Sequence, residues 1–268
     1  MIAPVDMKWV RRSATVAAGV SASYVALMSP WSQILGPFIW RASTTEKLVA
    51  LTFDDGPNEP FTSQILDVLD AHAAVGTFFV VGHNVERSPA VVRRIVRAGH
   101  ELGNHSYRHQ LRRSFVRRRS LLSEIETTQQ LIERVSFVRP SLFRPPWLIR
   151  TPRILQTVGA ARMRTVGGEF SHVLEVFQPN RARIAKSALR KIRPGSIIIF
   201  HDGYNARQGV DRTETVRAVD LVVSSLAANG WQMVTVSELL RRSVTDGNHL
   251  PMWPISDPTA RNQLYAPT

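Results

Sequence analysis

The sequence predicts an α/β fold, a barrel of βα units in which a parallel sheet is surrounded by helices. Two observations predict it. From Glu46 onward, short apolar runs alternate with amphipathic stretches, which is the pattern of strands joined by crossover helices. The 268 residues, 44% of them hydrophobic, are enough to bury the core of one such barrel. We expect an N-terminal segment (1–45), one folded domain (46–242) and an irregular tail (243–268).

Seven apolar runs are the predicted strands: residues 48–53, 77–81, 101–104, 142–144, 162–166, 196–200 and 232–235. Amphipathic stretches predict helices over residues 62–71, 89–98, 115–135, 181–192 and 215–229. Gly99, Gly195 and Gly230 stand where a helix should end and the next strand begin. In barrels of this kind the chemistry lies at the carboxyl ends of the strands, so residues at those ends are the first candidates for function.

The N-terminal segment has the pattern of an export signal or membrane anchor. Lys8, Arg11 and Arg12 precede an uncharged run, residues 13–28, and a second apolar patch covers residues 31–40. Residues 13–40 together are long enough to span a bilayer, although Pro30 would kink the helix. We expect an uncleaved signal anchor that associates the protein with the membrane and leaves the domain outside the cytoplasm. A helix packed on the domain is the alternative.

Composition narrows the chemistry. The chain has no cysteine, so any metal must be bound by histidines and carboxylates. The net charge of +13 attracts polyanions, for example acidic wall polymers or anionic lipids, although a solvated arginine-rich surface explains it equally well. No zinc finger, helix-turn-helix or aromatic–basic RNA motif accompanies the charge, so specific nucleic-acid binding is not expected.

Two adjacent carboxylates close the first predicted strand, in the segment Thr-Phe-Asp-Asp-Gly-Pro (residues 52–57). Asp54 and Asp55 repel each other unless a cation or hydrogen-bond donors neutralise them. The pair therefore points to a metal, although Asp-Gly and Gly-Pro are also ordinary turn signals.

Two histidines follow the third predicted strand. His105 and His109 are spaced i and i+4, so both imidazoles lie on one face if the segment is helical. With Asp55 they supply two nitrogens and one oxygen, a set that suits zinc with an open position for water.

A third motif follows the fourth predicted strand, where Arg144 precedes Pro145, Pro146 and Trp147. A rigidly held arginine could pair with a carboxylate and set its orientation and pKa. A proline-rich loop that merely packs an aromatic ring is the structural alternative.

A fourth motif ends the β-branched run at residues 197–199, where His201 and Asp202 follow. A histidine at the mouth of a barrel strand can serve as a general acid, or it can cap the strand for structural reasons. All four motifs fall where a strand is predicted to end, which favours one shared site.

Together these segments resemble the polysaccharide deacetylases of the NodB-homology group, carbohydrate esterase family 4. Residues 52–57, 105–109, 144–147 and 199–203 match four of that family's five motifs, and the similarity covers roughly residues 47–242. The resemblance implies a distorted barrel of seven or eight βα units and the hydrolysis of N-acetyl groups on a polysaccharide, with release of acetate. Peptidoglycan, chitin oligomers, exopolysaccharide, lipid-linked saccharides and acetylated xylan are all compatible substrates.

The resemblance also implies roles for the matched residues. Asp55, His105 and His109 would hold a divalent metal, most often zinc in this family. Asp54 would be the general base, and Arg144 would orient it and keep it ionised.

On the other side of the scissile bond, the resemblance implies that His201 is the general acid. A backbone N–H near Trp147 would stabilise the oxyanion, and Ile199 would line the acetyl pocket. The family's fourth motif, which supplies an Asp to orient the acid histidine, is altered, because residues 165–172 contain no Asp. Glu169 and Phe170 are the candidates to replace its carboxylate and its aromatic ring.

The altered motif leaves two alternatives open. One is a deformylase or deacetylase of a lipid-linked sugar, which a membrane anchor would suit. The other is a weakly active family member that binds glycan, which the complete metal, base and acid set opposes.

Overall fold

The structure, a computed structural model, describes residue 19 and residues 29–110 and 118–243. Strands and helices alternate along most of these residues, as the apolar pattern predicts. The strands of the described chain are β1 (Leu48–Asp54), β2 (Thr77–Val80), β3 (Glu101–Asn104), β4 (Leu142–Phe143), β5 (Arg164–Thr165), β6 (Glu169–Phe170), β7 (Ser196–His201) and β8 (Gln232–Met233).

The strands form one parallel sheet in the order β5-β4-β3-β2-β1-β7-β6, and β8 pairs with the start of β1. β1 lies at the centre, with Thr52 beside Thr77 of β2 and Ile199 of β7. The register also places Asp54 beside His201, at the carboxyl ends of β1 and β7. The sheet curls into a distorted barrel, so the predicted fold class is confirmed.

Helices cover the outer face of the sheet. They are α1 (Phe61–Ala71), α2 (Gly82–Arg87), α3 (Pro89–Arg97), α4 (Arg118–Ser136), α5 (Pro152–Ala160), α6 (Arg181–Lys191), α7 (Thr213–Ala228) and α8 (Val236–Arg241), with 3-10 turns at Pro146–Leu148 and Glu175–Phe177.

All seven predicted strands are present, but β4, β5 and β8 have only two residues each. The sequence prediction missed β6, α2, α5 and α8, because short elements give too few residues to establish a period. The predicted helix at 115–135 is α4, whose described part begins at Arg118. Gly99, Gly195 and Gly230 lie between a helix and the next strand, as predicted, and all three have positive φ.

Alternation along β1 separates two buried layers. Val49, Leu51 and Phe53 pack against the helices, and the ring of Phe53 stacks 4.8 Å from that of Phe78. Leu48 and Ala50 face the opposite way, into the barrel interior. Thr52 and Asp54 share the parity of these interior residues, so the strand that anchors the core also delivers a carboxylate to the barrel mouth.

Residues 29–42, here called the strap, run along the gap between β5 and β6, the two ends of the sheet. Ile39 forms a bridge with Val166, and Arg41 forms one with Ser196 at the start of β7. Phe38 and Ile39 are buried, and no helix is present in residues 31–40. Residues 31–40 therefore do not continue a helix of the predicted anchor, and contacts with the barrel begin before residue 46.

Apart from Gly19, the predicted anchor run 13–28 lies outside the described residues, as does the predicted tail beyond Ser243. Across the part of the chain that the structure describes, none of the helices has both the length and the apolar character needed to cross a bilayer.

Candidate active site

The side chains singled out in the sequence gather at one mouth of the barrel. Asp54 ends β1 and His201 ends β7, while His105 directly follows β3 and Arg144 directly follows β4. The parallel arrangement brings these strand ends together from positions far apart in the chain.

Three of these side chains converge as a cluster of metal-ligand type. Nε2 of His105 lies 3.5 Å from Oδ1 of Asp55, and Nε2 of His109 lies 3.2 Å from the same oxygen. All three side chains are buried, and one ligand atom from each lies within 4.8 Å of the others. The structure therefore unites the three predicted ligands.

The two histidines do not share a helix face. Residues 105–110 form a loop, in which Ser106 has φ 65° and His109 has φ 53°. The helical interpretation of their i, i+4 spacing is wrong. The loop turns back on itself at these left-handed residues, with the His109 N–H donating to Oγ of Ser106 at 3.1 Å, and so aims both rings at Asp55.

The cluster fits a divalent ion. Ligands about 2.0–2.1 Å from a tetrahedral ion lie about 3.4 Å apart, which agrees with the two separations from Asp55. Oδ1 of Asp55 has no hydrogen-bond donor among the described residues, an arrangement that a bound cation would satisfy.

The protonation of His105 also suits a ligand. Its Nδ1 donates to the backbone carbonyl of Arg144 at 2.8 Å, so Nε2 keeps its lone pair towards Asp55. Burial, together with the nearby charge of His109, lowers the pKa of His105 to about 3, so the ring is neutral.

Asp54 makes its shortest ion pair with a buried arginine, and its other oxygen, Oδ2, lies 4.0 Å from Nε2 of His105. Nη1 of Arg144 donates to Oδ1 of Asp54 at 2.6 Å and to Oγ1 of Thr52 at 2.8 Å. Nη2 and Nε donate to the carbonyls of Gly167 and Val166, at 2.9 and 3.4 Å. With four acceptors, the guanidinium has one orientation, which fixes the neighbouring carboxylate as the resemblance implies.

The acid histidine has a carboxylate partner, but it is not Glu169. Nδ1 of His201 lies 2.6 Å from Oε2 of Glu175, whereas Glu169 pairs with Arg193 at 3.2 Å on the surface. The proposed replacement by Glu169 is therefore wrong. Its side chain lies on the helix-facing side of β6, and Glu175 reaches His201 from the 3-10 turn that follows.

Glu175 controls the charge of His201. Burial lowers the pKa of His201, but the charge and hydrogen bond of Glu175, helped by Asp55 and Asp54, raise it to about 9. Thr215 of α7 donates to the other carboxylate oxygen of Glu175 and fixes its orientation. His201 is thus protonated at neutral pH, the state that a general acid requires.

One signal in the sequence could have found Glu175. It is a lone carboxylate within the apolar stretch Val173, Leu174, Val176 and Phe177. In the structure Glu175 is buried, although Val173, Leu174 and Phe177 are exposed. A charged residue of this type is almost never fully buried unless it is paired.

The sequence comparisons agree with this geometry. Residues 41–166 match the family model described as polysaccharide deacetylase. A peptidoglycan-N-acetylglucosamine deacetylase from Bacillus cereus is 34% identical over 208 residues, covering 77% of this chain and 94% of that protein. The chain belongs to the polysaccharide deacetylase family.

Two further relatives show the range of the family. A chitooligosaccharide deacetylase from Bradyrhizobium is 33% identical, over 71% of this chain and 90% of that protein. The solved structure of a family 4 acetyl xylan esterase from Clostridium thermocellum, in complex with a cobalt ion, is 32% identical with a TM-score of 0.65. It covers 72% of this chain and 90% of that chain. Deacetylases of this family depend on a metal, and this member has the buried Asp-His-His group to bind one.

In this deacetylase, the turn that carries Trp147 borders the metal cluster. Trp147 and Leu148 adopt φ of 58° and 54°, and the Trp147 ring lies 5.4 Å from that of His109. Because the Trp147 side chain is 44% exposed, it forms a wall of the site rather than part of the core. Within this turn the N–H of Leu148 donates to the carbonyl of Pro145 at 2.9 Å, and left-handed backbone of this kind clusters at functional sites.

Ile199 and Phe170 flank the acid histidine. Ile199 precedes His201 by two residues on β7, so both side chains lie on the same face, and Ile199 is fully buried. Phe170 stacks on the His201 ring, with centroids 6.1 Å apart and planes 10° apart. Phe170, the candidate aromatic of the altered motif, therefore contacts the ring of His201.

The backbone of Asp55 needs support, because its φ is 76°. Nδ2 of the fully buried Asn84 donates to the Asp55 carbonyl at 2.8 Å and to the Asn205 carbonyl at 3.2 Å. Asn84 therefore joins the loop after β1 to the loop after β7, and sequence reasoning missed it because a single Asn carries no motif.

Proposed function

We propose that this protein is a zinc-dependent deacetylase that removes acetyl groups from N-acetylated sugars of a cell-envelope polysaccharide. The observation that carries the proposal is the arrangement of two charged pairs, Asp54–Arg144 and His201–Glu175, beside one Asp-His-His cluster. A base and an acid are thereby available on two sides of one site, as amide hydrolysis requires.

Asp55, His105 and His109 would hold the metal. When bound, a divalent ion there supplies a Lewis acid that polarises the acetamide carbonyl and makes water more acidic.

Side chains of the protein then transfer two protons. Asp54, oriented by its ion pair with Arg144, takes one proton from the attacking water. A backbone N–H at the Trp147 turn donates to the oxygen that becomes negative. His201 gives its proton to the sugar nitrogen as the carbon–nitrogen bond breaks, so acetate and a free amine leave, and Ile199 borders the space for the acetyl methyl group.

The weakly active, glycan-binding alternative loses its motivation. It was based on the missing carboxylate of the fourth motif, and Glu175 supplies a carboxylate to His201 at hydrogen-bond distance. The proposed base Asp54, the proposed acid His201 and the candidate ligand cluster therefore oppose this alternative.

The experiment is acetate release from chitin oligomers, peptidoglycan and a lipid-linked N-acetyl sugar by the full-length chain. The protein is stripped of metal with a chelator and then reloaded with zinc. Release that needs zinc and disappears in Asp54→Asn and His201→Ala supports the proposal. Zinc binding without release from any of the three substrates would contradict it.

A second candidate function, deacylation of a lipid-linked sugar, is favoured by the surface beside the acid. Val173 and Phe177 are 76% and 74% exposed, and Leu174 is also exposed, on the turn that carries Glu175. Exposed apolar clusters beside a site often mark contacts with apolar ligands. The triple change to serine at these three positions should raise KM for a lipid-linked substrate and leave KM for a soluble oligosaccharide unchanged.

The matched control is Phe137→Ser, since Phe137 is 90% exposed at the end of α4. This variant should behave as the wild type with both substrates. An equal effect of the triple change on both substrates would contradict the lipid-linked assignment. A formylated version of the preferred sugar, assayed in parallel for formate release, distinguishes a deformylase from a deacetylase.

We also propose that the domain acts outside the cytoplasm. The support is the N-terminal pattern of Lys8, Arg11 and Arg12 before an uncharged run. Fusion of residues 1–45 to a reporter that is active only after export tests this, and a reporter that stays inactive would contradict it.

A further inference from the structure

Arg150 is a buried cation whose position the mechanism above does not explain. Its side chain is 2% exposed, and no carboxylate lies within ion-pair distance of it in the described ranges, 29–110 and 118–243. Burial lowers its pKa to about 10. Since burying an unpaired cation is unfavourable, its contacts must satisfy a specific requirement.

The contacts of Arg150 join two segments that are far apart in the sequence. Nη2 donates to the carbonyl of Ser29 at 2.6 Å, and Nη1 donates to the carbonyl of Leu148 at 3.2 Å. The guanidinium also stacks on the Phe38 ring, 4.0 Å from its centre. Arg150 therefore ties the start of the strap to the left-handed turn that carries Trp147.

The other end of the strap holds the segment that positions Arg144. Ile39 donates to the carbonyl of Thr165 at 2.9 Å and accepts from the N–H of Gly167 at 2.6 Å. The carbonyls of Val166 and Gly167, in the same segment, are the acceptors of the Arg144 guanidinium.

Packing reinforces this connection at Gly167. A Cβ atom at this position would lie 2.7 Å from Cε2 of Phe38, closer than side chains normally approach. The strap and the 165–167 segment are thus in direct contact, so that a displacement of one must displace the other.

We propose that the strap is a positioning element of the active site. It fixes the acceptors that orient Arg144, and hence Asp54, and through Arg150 it fixes the turn that offers the oxyanion N–H. The proposal rests on the deacetylase activity proposed above. No hydrogen bond of the described residues joins the strap to the metal cluster, so loosening the strap should reduce turnover and spare metal binding.

The first test compares Arg150→Gln with Arg153→Gln in the full-length chain. Arg153 lies exposed in the first turn of α5. Arg150→Gln should lower kcat about tenfold or more, with KM within about twofold and zinc stoichiometry unchanged, because small displacements of catalytic groups are costly. Arg153→Gln should match the wild type. Arg150→Lys, which keeps the charge and one donor, should recover part of the loss.

The second test observes Arg144 without turnover. Hydrogen exchange of its Nε–H, followed by NMR and assigned through Arg144→Lys, should be about tenfold or more faster in Arg150→Gln than in the wild type. If Arg150→Gln does not fold, Phe38→Leu and Gly167→Ala should give the same acceleration.

The results separate the two proposals. Unchanged exchange at Arg144, or an unchanged kcat per zinc-loaded molecule with only a lower Tm, would overturn the strap proposal and leave the deacetylase proposal standing. A wild type that releases no acetate contradicts the proposed function, and the exchange measurement then still decides the role of the strap.

Discussion

The imidazole of His201 donates through Nδ1 to the carboxylate of Glu175 across 2.6 Å. Glu175 is itself buried and is hydrogen-bonded by Thr215 of α7. The two residues come from different elements, a 3-10 turn and the end of β7, so their contact depends on how the loop after β6 folds over the barrel. This contact sets the charge of the proposed acid.

The pH profile should depend on Glu175. The pKa of His201 is raised to about 9, so the acid form is present at neutral pH and activity should fall as pH rises through that value. A cation bound to Asp55 would cancel the part of this pKa rise that the charge of Asp55 contributes. Glu175→Gln removes the main negative charge, so the basic limb of kcat should move to lower pH by about one to two units. The control is Glu169→Gln, which removes the surface pair with Arg193 and should leave the basic limb in place. A basic limb that also stays in place in Glu175→Gln would show that Glu175 does not set the pKa of His201.

The pair of His201 and Glu175 should make the free energy of unfolding depend on pH. Because the pKa of His201 is raised above its ordinary value of 6.5, its stabilising contribution is fully present below pH 6.5 and is lost as pH rises through about 9. Glu175→Gln should therefore lower Tm more at pH 6 than at pH 10. Thermal unfolding of the metal-free proteins at both pH values measures this, and an equal loss at the two would refute it.

Two isosteric changes at adjacent positions should have different consequences. Asp54→Asn should lower kcat at least about a hundredfold while zinc affinity stays near that of the wild type, because the shortest ion pair of Asp54 is with Arg144 and its carboxylate is not one of the three candidate ligands. Asp55→Asn should instead weaken zinc binding, because it removes the anionic ligand. Zinc titration and acetate release on both variants test the assignment, which fails if Asp54→Asn loses the metal.

Arg144→Lys should impair catalysis although it keeps the charge. A lysine ammonium cannot reach the four acceptors that the guanidinium contacts, so Asp54 loses its fixed orientation. We expect kcat to fall about a hundredfold and the free energy of unfolding to fall by about 3 kcal/mol. Urea unfolding and steady-state kinetics measure the two, and a variant with wild-type kcat would show that orientation does not matter.

Asn84→Ala should weaken metal binding from outside the ligand cluster. Without its two hydrogen bonds, the left-handed backbone at Asp55 loses its support and the Asp55 and Asn205 carbonyls lose a donor. Zinc affinity should fall about tenfold and stability by about 1–3 kcal/mol. Asn229→Ala, at the exposed end of α7, is the control and should change neither.

The sequence by itself determined the fold class and most of the site. Alternating apolar and amphipathic stretches predict the βα barrel, and polar residues at predicted strand ends identify Asp54, Asp55, His105, Arg144 and His201. These predictions succeed because strand periodicity is local, and because a parallel sheet places all carboxyl ends at one edge whatever the loops do.

Only the tertiary structure decided the contacts that loops make. Three such contacts connect segments without a periodic pattern. They are the pair of His201 with Glu175 instead of Glu169, the loop that turns His105 and His109 inward, and the hydrogen bond from Arg150 to Ser29 of the strap. Such contacts are selected by burial, by hydrogen-bond satisfaction and by the shape of the barrel mouth, which are properties of the folded chain and leave no spacing in the sequence.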